Sequence, residues 1–102
     1  MLTRRSLLVS GLAPLLVRAE PRILEVRKIW DQGAHNAFTD LVRFRGRWFC
    51  AFREGKGHVS PDGQMRILTS KDAREWISAA VVQSPRGDLR DAKLCVTPDE
   101  EL

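Results

Sequence analysis

The stretch HNAFTDLVRFRGRWFCAFREG, residues 35–55, decides the fold of this chain. Residues 41–44 and 47–52 are apolar runs typical of strands, and the Arg45-Gly46 pair between them predicts a tight hairpin turn. The second run has apolar side chains on both faces, which predicts a strand covered on both sides. A charged pair, Arg53-Glu54, follows this run directly, and its role needs an explanation.

Short strands and turns continue through the rest of the chain. Besides the hairpin, apolar or alternating runs predict strands at residues 23–30, 65–69, 76–82 and 94–96. Polar segments rich in turn-forming residues separate them, at residues 31–33, 35–40, 54–63, 70–75 and 84–88. No helical period follows the first nineteen residues. The sequence therefore predicts an all-β fold with one antiparallel four-stranded sheet of consecutive strands.

The first nineteen residues have the pattern of an export signal. Arg4 and Arg5 precede an apolar run at residues 7–17, and small side chains follow where a signal peptidase would cleave. The arginine pair favours twin-arginine export, and the run is too short to span a bilayer. An amphipathic first helix is the alternative. We predict a signal helix at 1–19, a domain at 20–102, and an exported protein, periplasmic or extracellular, with no membrane span.

Removal of the signal also changes the charge balance. Of the 17 basic residues, Arg4, Arg5 and Arg18 lie in the signal, so 14 remain against 13 acidic residues. This near balance, with no basic block interleaved with stacking aromatic residues, gives no expectation of nucleic-acid binding.

The cysteines and histidines are too scattered to predict a metal site. Cys50 and Cys95 lie in apolar runs away from His35 and His58, which favours two separate core thiols, although export would also permit a disulfide. No carboxylate cluster has the spacing of a calcium loop, so we expect no metal and no other cofactor.

The segment from Ser70 to Trp76, SKDAREW, resembles the Asp box of sialidases (neuraminidases) and other bacterial-neuraminidase-repeat (BNR) proteins. In that box the carboxylate, here Asp72, accepts backbone N–H groups across a tight turn, and the tryptophan packs beneath it. The usual glycine is absent from this chain, and the spacing to Trp76 is one residue shorter than in the commonest form.

The order of residues 35–54, 63–76 and 88–91 is similar to that of the first blade of a sialidase-like propeller. The resemblance implies one antiparallel four-stranded blade, the start of a six-bladed β-propeller whose remaining blades belong to a longer chain. It implies a glycan-processing protein, an exo-α-sialidase-like glycoside hydrolase when full length, with a carbohydrate such as a sialoside as partner. The alternatives are a non-catalytic carbohydrate-binding propeller and an inactive fragment.

The resemblance also implies which residues line the sugar site. It places Arg53, Glu54 and His58 on the funnel side of the loop after the second strand, and Arg90 and Asp91 where the second blade begins. Two plainer interpretations stay open. Arg53 and Glu54 can form a solvated ion pair on the rim, and Asp91 can close a turn with its side chain.

Catalysis by the family's route needs residues that this sequence lacks. Residues 36–40 read NAFTD where sialidases carry an Arg-Ile-Pro motif, and the chain has no tyrosine to serve as the nucleophile. The acid/base candidates are Asp62 and Glu54, although Asp62 also fits a plain Pro-Asp-Gly turn. We therefore expect no glycoside hydrolysis by these 102 residues alone.

Overall fold

The sheet predicted from the sequence is present in the computed structural model, which describes residues 18–102. The four strands are β1 His35–Phe44, β2 Arg47–Gly55, β3 Gln64–Ser70 and β4 Ile77–Val82. They are antiparallel and lie in the order β1-β2-β3-β4, so neighbours in sequence are neighbours in space. Residues 18–102 contain no helix, which confirms the all-β class for that part of the chain. The predicted signal at residues 1–19 lies almost entirely outside the described residues and stays a prediction.

The first hairpin turns at the predicted dipeptide. Phe44 pairs with Arg47 across the turn, and the two residues between them, Arg45 and Gly46, have φ values of 47° and 74°. Positive φ at both central positions matches the right-handed twist of the flanking strands, and glycine adopts it without steric cost.

Strand β1 begins earlier than the sequence predicts. Residues 35–40 were expected to be irregular, yet they pair with β2 around a β-bulge between Ala37 and Asp40. Phe38 and Thr39 there oppose the single residue Phe52, and Phe38 has φ of 58°. The polar side chains of residues 35–40 do not predict a strand. The strand forms because backbone pairing with β2 does not require an apolar pattern.

Two other predicted strands are wrong. Residues 23–30 are irregular, and Ile23, Leu24 and Val26 are each at least 80% exposed, because no described strand pairs with them. Residues 94–96 are also irregular, although the Leu94 N–H donates to a carboxylate oxygen of Asp40 at 2.7 Å. Alternation predicts which side chains share a face, but a strand also needs a neighbour.

The core lies on one face of the central strands. Cys50, Phe52 and Leu68 form its buried cluster, and Trp30 and Trp76 pack against it. The run from Cys50 to Glu54 is buried throughout, which confirms that β2 is covered on both sides. Burial raises the pKa of the Cys50 thiol, with a smaller contribution from the Asp40 charge.

The two cysteines are separate free thiols, as the sequence favoured. Only Cys50 is a core residue, however. The expectation that Cys95 is also in the core is wrong, because Cys95 lies exposed in the irregular segment that follows β4.

Candidate functional site

The charged pair lies at one end of the sheet, where β2 ends and β3 begins. Arg53 pairs with Met65 and Glu54 pairs with Gln64 in the β2–β3 ladder. Because successive side chains of a strand point to opposite faces, the two charges lie on opposite sides of the sheet. Both are buried and each has partners other than its neighbour, so the interpretation of a solvated rim pair is wrong.

Arg53 is fully buried and holds together two loops. Its Nη1 donates to the carbonyl of Gly57 at 2.8 Å, and its Nη2 donates to the carbonyl and hydroxyl oxygens of Ser60 at 3.0 and 3.1 Å. Its Nε donates to Asp88 Oδ1 at 2.6 Å. The guanidinium therefore fixes the β2–β3 loop against the segment that follows β4. Arg53 organises this end of the sheet from the interior and does not line an open surface.

Asp88 joins the buried arginine to an exposed one. Its second oxygen accepts a hydrogen bond from Arg90 Nε at 2.6 Å. The bond from Arg53 holds the pKa of Asp88 below its usual range, and the Arg90 bond lowers it further against the opposing effect of desolvation. The next residue, Asp91, is exposed with φ of 52°. Arg90 and Asp91 are thus at the same end of the sheet as Arg53.

A glycine makes the contact with Asp88 possible. A Cβ atom on Gly63 would lie 1.7 Å from Asp88 Oδ1 and 2.5 Å from Arg53 Nε. The backbone of Gly63 also accepts the Leu89 N–H at 2.9 Å. The Pro-Asp-Gly sequence therefore does more than turn the chain, because its glycine leaves room for a charged side chain.

On the other face, Glu54 accepts hydrogen bonds from three side chains. Trp30 Nε1 lies 2.6 Å from Oε2, while Gln64 Nε2 and Arg66 Nη2 lie 2.9 and 2.6 Å from Oε1. The Arg66 guanidinium also stacks over Trp30, 4.8 Å from the ring centroid. Desolvation raises the pKa of Glu54, but the bonds from Arg66, Trp30 and Gln64 outweigh it and the pKa is lowered. Glu54 is therefore held as a carboxylate.

Polar side chains continue from Glu54 into a groove. Gln83 donates to Gln64 at 2.7 Å, and Gln64 donates to Glu54. Two adjoining cavities of about 350 and 470 Å³ share Asp62, Gln64 and Gln83 in their walls, and Glu54 and Lys56 line the smaller one. The groove thus offers carboxylate, amide and ammonium groups side by side.

Asp62 lies exposed at the groove and closes the β2–β3 loop. Its carboxylate accepts the backbone N–H of Lys56 at 3.0 Å. Hydrogen bonding by Ser60 and by that N–H holds the pKa of Asp62 below its usual range. Both acid/base candidates, Asp62 and Glu54, are therefore ionised at neutral pH. Asp62 also makes the turn-closing contact expected of a Pro-Asp-Gly segment.

His58 lies elsewhere in the same loop. Its ring is 5.2 Å from that of His35 and 5.3 Å from that of Phe38, measured between centroids. In the β2–β3 loop, His58 therefore lies beside the first residues of β1, whereas Asp62 lies in the groove.

The Asp72 turn lies at the opposite end of the sheet, between β3 and β4. One oxygen of Asp72 accepts the N–H groups of Arg74 and Glu75 at 2.8 and 3.0 Å, and Ser70 Oγ lies 3.1 Å from the same oxygen. The N–H groups of Glu75 and then Arg74 hold the pKa of Asp72 below its usual range. Ala73 has φ of 60° where a glycine would be unstrained. Trp76 follows and packs on the core.

Sequence reasoning missed the partners of the charged pair. Asp88, Gln64, Arg66 and Trp30 lie 10 to 35 residues away from Arg53 or Glu54 in the chain. The sheet register brings two of them together, and irregular segments bring the others. The only local signal was the run DLRD at residues 88–91, in which charges alternate in sign.

No family model, curated protein or solved structure matches this chain. Within residues 18–102, no three metal-ligating side chains of His, Cys, Asp or Glu come together. In the same part of the chain, no helix has the length and apolar character needed to cross a bilayer.

Proposed function

We propose that this chain is the glycan-recognising amino-terminal part of an exported, sialidase-like β-propeller protein. The Asp72 turn carries the proposal, because its serine, carboxylate and tryptophan resemble those of an Asp box and the turn joins the last two strands of the four-stranded sheet. The polar groove at the other end of the sheet supports a ligand site facing away from that turn. Export rests on the signal predicted at residues 1–19.

The groove has the chemistry needed for a polyhydroxylated ligand. The amides of Gln64 and Gln83 can both donate and accept, the Asp62 carboxylate accepts, and the Lys56 ammonium donates. Sugar hydroxyl groups also donate and accept, so such a wall matches several of them at once. The network behind Gln64 fixes its orientation before a ligand arrives.

Binding without cleavage is the second candidate, and the two carboxylates favour it. A general acid must hold a proton at the working pH, yet the pKa values of Glu54 and Asp62 are both lowered. Neither is therefore suited to protonate a leaving group. In the enzymatic version of the proposal, hydrolysis belongs to a longer chain that supplies a tyrosine nucleophile and further arginines.

A nuclear magnetic resonance titration with 3′-sialyllactose tests recognition. We expect backbone amide shifts to change near Gln64 and Gln83, and Gln83→Ala to weaken binding. Lys71→Ala, beside the Asp72 turn at the far end of the sheet, is the matched control and should bind normally. Shifts confined to the Asp72 end, or no binding at millimolar ligand, would contradict the proposal.

A fluorogenic sialoside assay separates the enzyme from the binding protein. We expect no turnover by the 102-residue chain. Turnover by the exported protein isolated from its source cells, with an intact mass several times that of residues 20–102, would support the hydrolase. Binding by that protein without turnover would support the second candidate. An amino terminus at Glu20 would support the predicted export signal.

A further inference from the structure

Three rings meet beside the β2–β3 loop, outside the groove and outside the apolar core. His58 lies 5.2 Å from His35 in an edge-to-face arrangement, and 5.3 Å from Phe38 at a tilt of 54°. Phe38 is 37% exposed and His58 is also exposed. None of the three belongs to the buried cluster of Cys50, Phe52 and Leu68, so core packing does not explain why they are gathered here.

Phe38 is held in place by a strained backbone. It has φ of 58° at the bulge of β1, a left-handed conformation that is unfavourable for a residue with a side chain. A regular strand in that position would alternate without interruption and would place this ring differently. The bulge therefore places the Phe38 ring beside His58 of the loop at the cost of a strained backbone.

His58 is held from the interior of the protein. The buried guanidinium of Arg53 binds the carbonyls of Gly57 and Ser60, on either side of His58. The Ser60 hydroxyl also accepts the Gly57 N–H at 3.2 Å, which tightens the same loop. His35 contributes a further unusual feature, because its Nδ1 is buried with no hydrogen-bond partner among the described residues.

We propose that Phe38 and His58 form an aromatic platform on which the C–H face of a hexopyranose ring stacks. The proposal rests on the proposed function, glycan recognition, and adds residues outside the groove that would contact the apolar face of one ring of the glycan. Binding sites combine apolar contact area with a few orienting polar groups. Here the rings supply the first, and the imidazole nitrogens of His58 supply a hydrogen-bonding group at the edge of the platform.

A metal ion is the other ligand that two histidines suggest, but the coordination set is too small. His35 and His58 have no third His, Cys, Asp or Glu beside them within residues 18–102. Phe38 is one of the two exposed rings of this cluster, with His58, and it cannot ligate a metal. The arrangement therefore fits a stacked ring better than a coordinated ion.

The test uses 3′-sialyllactose with the intact chain, observing both protein and ligand resonances. Stacking on an aromatic face shifts the sugar C–H protons upfield. Phe38→Leu keeps an apolar side chain but removes the ring, and His58→Gln keeps hydrogen bonding while removing the imidazole. Each should weaken binding about 3- to 10-fold. Phe44→Leu, on the same strand next to the Arg45-Gly46 turn, is the control and should leave the affinity unchanged.

The outcomes separate the platform from the broader proposal. If the wild-type chain binds the sugar, but Phe38→Leu and His58→Gln both bind it equally well, the platform is refuted and glycan recognition stands. If upfield ligand shifts occur in the wild type and disappear in Phe38→Leu, the platform is supported. If the wild-type chain does not bind at all, both proposals are overturned. Because His58 is an exposed loop residue, His58→Gln provides a folded variant even if Phe38→Leu perturbs the bulge.

Discussion

Replacing Arg53 by methionine should remove the main link between the β2–β3 loop and the segment after β4. The guanidinium is fully buried and makes four hydrogen bonds, one to Asp88 and the others to Gly57 and Ser60. Methionine fills part of the same volume but donates nothing. Two backbone carbonyls would then lose a donor in the interior, and Asp88 would keep only its bond to Arg90.

The size of the effect follows from what is left without a partner. Hydrogen bonds from a charged group typically contribute about 1.5–3 kcal/mol to the free energy of unfolding, and this range applies here because Asp88 is partly exposed and keeps Arg90. The Ser60 carbonyl, which loses its donor, acts in the same direction, whereas the Gly57 carbonyl keeps the Ser60 hydroxyl as a donor at 3.0 Å. A domain of this size is stable by only about 5–15 kcal/mol, so Arg53→Met should lose a large fraction of the total.

Urea unfolding followed by tryptophan fluorescence would measure this loss. Arg74→Met is the matched control, because Arg74 is exposed and its backbone N–H bond to Asp72 survives the substitution. We expect the control to change the free energy of unfolding by less than about 0.5 kcal/mol. If Arg53→Met cost less than about 1 kcal/mol, the guanidinium would not be the organising contact that its geometry indicates.

Three further outcomes are expected from the same unfolding measurements. Gly63→Ala should cost about 1–3 kcal/mol, because its Cβ would collide with Asp88 Oδ1, whereas Gly57→Ala, whose Cβ meets nothing within 4 Å, should be nearly neutral. Asp72→Ala should lower the urea midpoint, and Asp72→Asn should lower it less because the amide keeps an oxygen acceptor. Stability should be flat from pH 7 to about 5 and should fall below about pH 4. The reason is that the folded-state pKa values of four carboxylates are lowered: Glu54, Asp62, Asp72 and Asp88. Their contribution to the free energy of unfolding is present above the unfolded-state pKa. It is lost as the pH falls through the folded-state pKa. A loss already between pH 7 and 6 would contradict this account.

The sequence predicts those parts of the fold that depend on local chemistry. The hairpin turn at Arg45-Gly46 has two positive φ values, and the Arg-Gly pair between two apolar runs predicts that turn. Strands β2, β3 and β4 are short apolar runs bounded by turn residues, and each forms within a few residues of its predicted limits. The coverage of β2 on both faces follows from its pattern alone, because apolar residues occupy both alternating sets.

The errors arise where structure depends on a neighbour. Residues 23–30 alternate as well as any strand in the chain, but no described strand lies beside them. The first six residues of β1 look irregular, and yet β2 offers them a ladder that they follow through a bulge. Cys95 lies in an apolar run, yet its side chain is exposed in the part of the chain that the structure describes. In each case, the side-chain pattern describes a preference, while backbone pairing and burial depend on residues far away in sequence.

The sequence pointed to residues at this end of the sheet but did not predict the contacts that they make. The resemblance drew attention to Arg53, Glu54 and the run 88–91, and these do lie at the same end of the sheet. What the residue types could not reveal is that the arginine is internal and the carboxylate is held ionised by a tryptophan, a glutamine and an arginine. Those contacts depend on the register between β2 and β3 and on the path of two irregular segments.

The order of the charges in the Arg53-Glu54 pair follows from the two faces of the sheet. Position 53 faces carbonyl oxygens of the β2–β3 loop and the Asp88 carboxylate, so it needs a donor with positive charge. Position 54 faces the N–H groups of Trp30 and Arg66, so it needs an acceptor with negative charge. With the two residues exchanged, a carboxylate would meet carbonyls and Asp88, while a guanidinium would meet Arg66. A charged pair can therefore end an aromatic strand without disturbing the core, because alternation sends each charge to the face that already holds its complement.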